Sequence, residues 1–210
     1  GTHALATVLF GILRPGDRLV SITGTPYDTM QTVIGWAHES CGSLREFGVS
    51  YDELPMYEGR VDLAGIARIV TPETKVALVQ RSRGYSERQP LSIADIRAVS
   101  ARIKAANPNC IVFVDNCYGE FVETEEPTAI ADVDIMAGSL IKNPGGGLAP
   151  TGGYIAGRSD LVEMASYRLT APGMGDELGA SLISNRLLFQ GLFLAPHVVT
   201  QALKGAVFAA

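Results

Sequence analysis

A chain of 210 residues, 47% hydrophobic and 19% charged, can bury one full core but is short for two. Its formal net charge is −5, and its densest basic group, Arg81, Arg83 and Arg88, is interrupted by Glu87. That balance argues against nucleic acid as a main partner, because phosphate binding needs clustered cations. The three cysteines, Cys41, Cys110 and Cys117, form no CxxC pair and no even framework. A reduced, cytoplasmic setting without a metal site is the expectation.

The elements follow in chain order. Residues 2–13 carry Leu5, Leu9 and Ile12 at helical spacing and stop at the turn sequence Arg14-Pro15-Gly16-Asp17. Residues 19–23 predict a buried strand, 28–37 a helix, 44–49 a short strand, 62–69 a short helix and 75–80 a strand. Residues 92–106 give the clearest helix. Ser92 and Asp95 form a capping signature, and Ile93, Ile96, Val99 and Ile103 make one apolar stripe. Asn107-Pro108-Asn109 ends it. Residues 110–115 stay apolar until Asp115, as a strand covered on both faces does. Residues 134–137 and 154–156 predict two more strands, and Ser159 the cap of another helix. Residues 187–199 come nearest to a membrane span, but Gln190, Pro196 and His197 interrupt them, so none is expected. The chain starts in a helical pattern without an initiator Met and stops in an apolar segment, so both ends read as cut.

Strands alternating with helices imply an α/β fold, a three-layer sandwich around a mostly parallel sheet. Ligands then sit at the carboxyl ends of the strands. Asp115 ends one strand, and Ser139 and Lys142 follow the next.

Lys142 lies in Gly138-Ser139-Leu140-Ile141-Lys142-Asn143-Pro144-Gly145-Gly146-Gly147. A lone lysine after a strand is usually a solvated loop residue, but one among apolar and glycine residues can become an amine nucleophile. The loop is not a Walker A motif, because its glycines follow the lysine and Asn143 stands where Ser or Thr is needed. No G-x-G-x-x-G is present, which weakens a nucleotide-binding reading. A plain turn remains open for the three glycines. For Asp115, a helix cap or structural salt bridge competes with a role against a protonated ring nitrogen. Gly1, Thr2 and His3 occupy a helix start suited to a phosphate, though His3 can equally be an incidental cap residue. Tyr27 either stacks on a cofactor ring or packs over the core edge.

Together these residues resemble the fold-type I pyridoxal-phosphate (PLP) enzymes of cysteine and methionine metabolism. Val114-Asp115-Asn116-Cys117-Tyr118-Gly119-Glu120-Phe121 is similar to their aspartate-bearing strand, and 138–142 to their lysine segment. Gln80-Arg81-Ser82-Arg83-Gly84-Tyr85 and the string from Lys142 to Gly153 resemble the methionine gamma-lyase-like, or aluminium-resistance, branch. The resemblance implies PLP bound to Lys142 as a Schiff base, with Asp115 at the ring nitrogen. It places Ser139, Gly1, Thr2 and His3 at the phosphate and Tyr27 on the ring, with Lys142 and Tyr27 as catalytic residues. Ser82, Arg83 and Asn143 would line the site. Residues 1–185 would form the PLP-binding large domain, and 186–210 the start of the connection to a small domain. The family's N-terminal arm and most of its small domain are absent from this chain.

The implied reaction is β- or γ-elimination from a sulfur-containing amino acid such as methionine or cystathionine, in a homodimer or homotetramer without a membrane. Two alternatives stay open: an aminotransferase using the same Lys and Asp, and a truncated PLP-binding module without activity.

Overall fold

The computed structural model describes residues 1–36, 41–175, 177 and 185–210. Its elements begin with α1 (Thr2–Ile12), β1 (Arg18–Ser21), α2 (Asp28–Ile34), β2 (Ser50–Glu53), α3 (Leu63–Ile69) and β3 (Thr74–Gln80). They continue with α4 (Ile93–Ala106), β4 (Ile111–Asp115), β5 (Ile135–Ser139), β6 (Gly153–Gly157), α5 (Ser159–Ser166) and α6 (Asn185–Ala209). The strands form one sheet of order β2-β1-β3-β4-β5-β6. The first five run parallel, and β6 closes the edge antiparallel to β5.

Side chains alternate between the two faces, as strand geometry requires. Leu78, Phe113, Ile135 and Ala137 meet Leu5, Leu9, Met30 and Leu161 of α1, α2 and α5. Ala77, Val79, Val112, Val114 and Met136 meet Ile66 of α3 and the Ile93, Ile96, Val99, Ile103 stripe of α4. The result is the expected three-layer sandwich. The α4 start carries a full capping box: Asp95 N donates to Ser92 Oγ at 3.1 Å, and Ser92 N donates to the Asp95 carboxylate at 2.9 Å.

Four sequence expectations change. Residues 44–49 are turns, not a strand. Leu44 and Val49 are buried there, but the ladder to β1 is made by 50–53. Apolar anchors in a turn mimic a short strand when no periodicity separates them. The helix predicted over 28–37 ends at Gly35, which takes a left-handed φ of 81°; Ala37 lies outside the described residues. Ser159 is the first helical residue rather than the cap, a place held by Arg158 without a side-chain bond to the helix start. The late apolar segment is one continuous helix through Gln190, Pro196 and His197. Among the described residues α6 is the one helix long and apolar enough to cross a membrane by length and composition. Its buried residues are Gly191, Ala195 and Val199. Gly191 rests on the backbone of Gly145 with no room for a Cβ.

After β1 the chain crosses to β2 on one side and returns to β3 on the other. The loops after β1 and β3 therefore diverge at the sheet's switch point. A cavity of about 800 Å³ opens between them, lined by Thr25, Tyr27, Gln80, Arg83 and Arg88 among others.

Candidate functional site

The next two strands toward the antiparallel edge supply the charged groups. β4 ends in Asp115 and β5 in Ser139, with Asp115 paired in register to Ala137. Asp115 is buried, and its Oδ1 accepts a hydrogen bond from Cys117 N at 3.1 Å. Burial raises its pKa above the ordinary 3.8, opposed by that bond and by the charge of Lys142. Ser139 Oγ is buried and finds no partner among the described residues. An orphaned buried hydroxyl in a folded chain calls for an explanation.

The start of α1 faces these two groups. A Cβ on Gly1 would lie 3.0 Å from Ser139 Cβ and 3.5 Å from Ser139 Oγ and Cys117 Sγ, so glycine leaves a small recess there. Thr2 Oγ1 lies 3.0 Å from Tyr27 OH and 3.0 Å from Thr29 Oγ1. Tyr27 N donates to Gln80 Oε1 at 3.1 Å, which ties the loop after β1 to the end of β3. Burial pushes the Tyr27 phenol up to about 12, so the ring stays neutral. Of the two sequence readings for Tyr27, packing at the core edge is the one seen here, with the charge of Asp115 near enough to act on the phenol.

Lys142 is half-buried in the turn after β5, where its N–H donates to Ser139 O at 3.2 Å. Its Nζ lies 4.0 Å above the centre of the Tyr118 ring. Asn143 Nδ2 donates to the carbonyls of Tyr118, at 3.2 Å, and Glu120, at 2.9 Å. Ser82 is half-buried and lines a second cavity of about 570 Å³ with Arg81, Arg83, Cys117 and Tyr118. Arg83 borders both cavities. His3 is exposed on the first turn of α1 and joins no bond to the others.

Sequence reasoning did not single out the polar group beneath this site. Glu120 is buried, and Tyr154 OH donates to its Oε1 at 2.8 Å, while its Oε2 has no partner among the described residues. Burial pushes Glu120 up to about 7. Asn116 Nδ2 reaches Tyr154 OH at 3.1 Å and Glu126 at 2.9 Å. Buried Arg81 donates to Asn116 Oδ1 at 2.8 Å and to Glu123 at 2.8 Å. Gly138 has no side chain because Glu120 Oε1 and the Tyr154 ring occupy its Cβ position. The available signal was a second carboxylate five positions after Asp115 in one motif.

The family model for methionine gamma-lyase matches residues 1–210. The YnbB protein of Bacillus subtilis strain 168 is 52% identical over 212 residues, covering 100% of this chain and 50% of its own. A Listeria monocytogenes structure, named as a candidate cystathionine beta-lyase involved in aluminum resistance, is 55% identical with a TM-score of 0.96. It covers 100% of this chain and 52% of its own. A carbon-sulfur lyase involved in aluminum resistance from Clostridium novyi NT is 47% identical with a TM-score of 0.93, covering 99% and 50%. The chain spans about half the length of these relatives.

Proposed function

Because the chain belongs to the methionine gamma-lyase family, with the fold-type I architecture, we propose that it is the cofactor-binding part of a PLP-dependent carbon-sulfur lyase. The substrate would be a sulfur-containing amino acid such as methionine or cystathionine, eliminated at the β or γ carbon. One observation carries the reading. Three groups suited to one ligand converge at the ends of β4 and β5: the buried Asp115 carboxylate, the orphaned Ser139 hydroxyl and the half-buried Lys142 amine.

These groups fit PLP, which offers a basic ring nitrogen, a phosphate and an aldehyde. Asp115 is a buried anion whose carboxylate is hydrogen-bonded only to Cys117 among the described residues, so a protonated ring nitrogen would relieve its desolvation. Ser139 Oγ and Thr2, at the Gly1 recess and the start of an 11-residue helix, offer donors to a phosphate. Tyr27 offers a neutral ring face for stacking. Bound PLP supplies an electron sink for charge developing at a substrate carbon. Lys142 Nζ would hold the aldehyde carbon covalently and, once displaced by a substrate amine, accept the α-proton. Asp115 would hold the ring-nitrogen proton throughout. On this reading residues 1–185 are the cofactor-binding domain and α6 begins the connection beyond it. The active form is a homodimer or homotetramer, and α6 serves as a packing helix rather than a membrane span.

The test is to mix purified protein with PLP, reduce with borohydride and map the peptides. A visible band that borohydride bleaches, leaving the reduced cofactor on the Lys142 peptide, is expected, with thiol and keto-acid release from methionine or cystathionine by the unreduced protein. Keto-acid-dependent amine transfer without thiol release would redirect the assignment to an aminotransferase. A fixed cofactor without turnover would leave a binding module, and no fixed cofactor would overturn the reading. Ser139→Ala separates the phosphate role from packing. Removing an unpaired hydroxyl should leave the melting of the cofactor-free protein unchanged, while a lost bond to a charged phosphate weakens PLP binding about tenfold or more in a spectroscopic titration.

A further inference from the structure

Tyr118 stands three residues after Asp115 in a loop shaped at a cost. Its φ is 67° and that of Phe121 is 62°, in the left-handed region that bulky residues avoid. Gly119, which lies between the two, has no room for a Cβ because the Arg81 side chain fills that place. The Tyr118 ring is 60% exposed, so core packing does not account for its position. A cation lies over its face: Lys142 Nζ is 4.0 Å from the ring centre. The two backbones are also tied, because Asn143, the residue after Lys142, donates to the Tyr118 carbonyl. The lysine and the ring face are therefore held in register by a strut that belongs to the lysine segment itself.

We propose that Tyr118 is a positioning residue whose ring docks the Lys142 ammonium whenever Nζ is not bonded to cofactor. The proposal deepens the PLP reading and rests on it for the purpose of the docking. In that reaction a substrate amine takes the cofactor carbon and Nζ leaves as a free amine with its lone pair. After accepting the substrate α-proton, Nζ is an ammonium, the species a ring face attracts. Docking keeps it at the site until it passes that proton to the departing thiolate and, as a free amine, retakes the carbon, releasing the product amine. A flexible lysine without such a face would spend that interval in solvent, losing the advantage of a fixed position.

Two measurements test this on the same variants, Tyr118→Phe, which keeps the ring, and Tyr118→Leu, which removes it. The first needs no cofactor: dilute acetic anhydride labels the PLP-free protein, and peptide mapping follows Lys142 against exposed Lys75 and Lys204. Tyr118→Leu should label Lys142 about fivefold faster than the parent, with Tyr118→Phe close to parental and the other two lysines unchanged. The second follows the return of the visible band after an amino-acid pulse. Tyr118→Leu should recover about fivefold more slowly and Tyr118→Phe at the parental rate. Parental labelling in Tyr118→Leu, or a Tyr118→Phe that behaves like Tyr118→Leu, overturns the docking. Faster labelling with an unchanged return of the band overturns its role in recapture. If the parent fixes no cofactor on Lys142, the PLP reading falls by itself, and the labelling ratio still decides whether the ring holds the amine.

Discussion

Lys142→Ala should give a folded protein that no longer retains PLP through borohydride reduction and whose elimination rate falls about 10²–10⁴-fold, the range of a lost general base. The fold should survive because the turn around Lys142 is made by backbone. Lys142 N donates to Ser139 O, Gly145 N donates to Lys142 O, and the φ of Lys142 is an ordinary −104°. Its side chain crosses no core layer and rests on an exposed ring. A partly exposed truncation of this kind changes stability by about 0.5 kcal/mol. PLP should still associate through the phosphate and ring contacts, but reversibly, so gel filtration after reduction would return protein with no cofactor attached, where the parent keeps the reduced cofactor on Lys142. Added methylamine should restore part of the rate, since a free amine can perform the proton transfer that Nζ performs. Full activity in Lys142→Ala would overturn the assignment of the lysine, and unfolding on substitution would contradict the account of the turn.

Much of the fold was legible in the sequence, because its signals are local. The α4 stripe and capping box, the apolar run of β4 and the turn after α1 depend on residues a few positions apart. The failures are places where tertiary structure decides. Residues 44–49 are not a strand: only Leu44 and Val49 are buried there, at the two ends of a turn segment that bonds back to the end of α2, while residues 45–48 are exposed. Pro196 does not end α6, although the residue type argues for a break. The placement of Asp115, Ser139, Tyr27 and Lys142 was legible because strand ends and the loops after them share one edge of a parallel sheet. Tyr118 and Glu120 were not. The first depends on a positive φ that no neighbouring residue announces, and the second on a partner, Tyr154, that is 34 positions away.

The remaining prediction separates stability from function at Asp115. In the unfolded chain this carboxyl titrates near 3.8, whereas burial raises its value in the fold. Between those two values the folded state binds more protons than the unfolded one, so stability falls as pH rises through that window and stays at the lower level above it. The carboxylate is therefore a cost in the empty site at neutral pH. Asp115→Asn keeps an Oδ1 to accept from Cys117 N and carries no charge, so it should raise the melting temperature of the PLP-free protein by about 2–4 °C at pH 7. The gain should shrink toward pH 4, where the parent carboxyl is protonated. With PLP bound the order should reverse. The parent then gains a counter-charge for its buried anion, while the Asn variant cannot hold the ring-nitrogen proton and should turn over about 10–100-fold more slowly. Glu120, raised to about 7 by the same burial, adds a fall of the same sign below neutrality in both proteins, so the difference between parent and variant isolates Asp115. Melting curves at pH 4 and pH 7, with and without PLP, decide the matter. An Asn variant less stable than the parent in the empty state at pH 7 would mean that Asp115 is a structural anchor. A stability gain that persists unchanged with PLP would mean that the carboxylate never meets a cofactor charge.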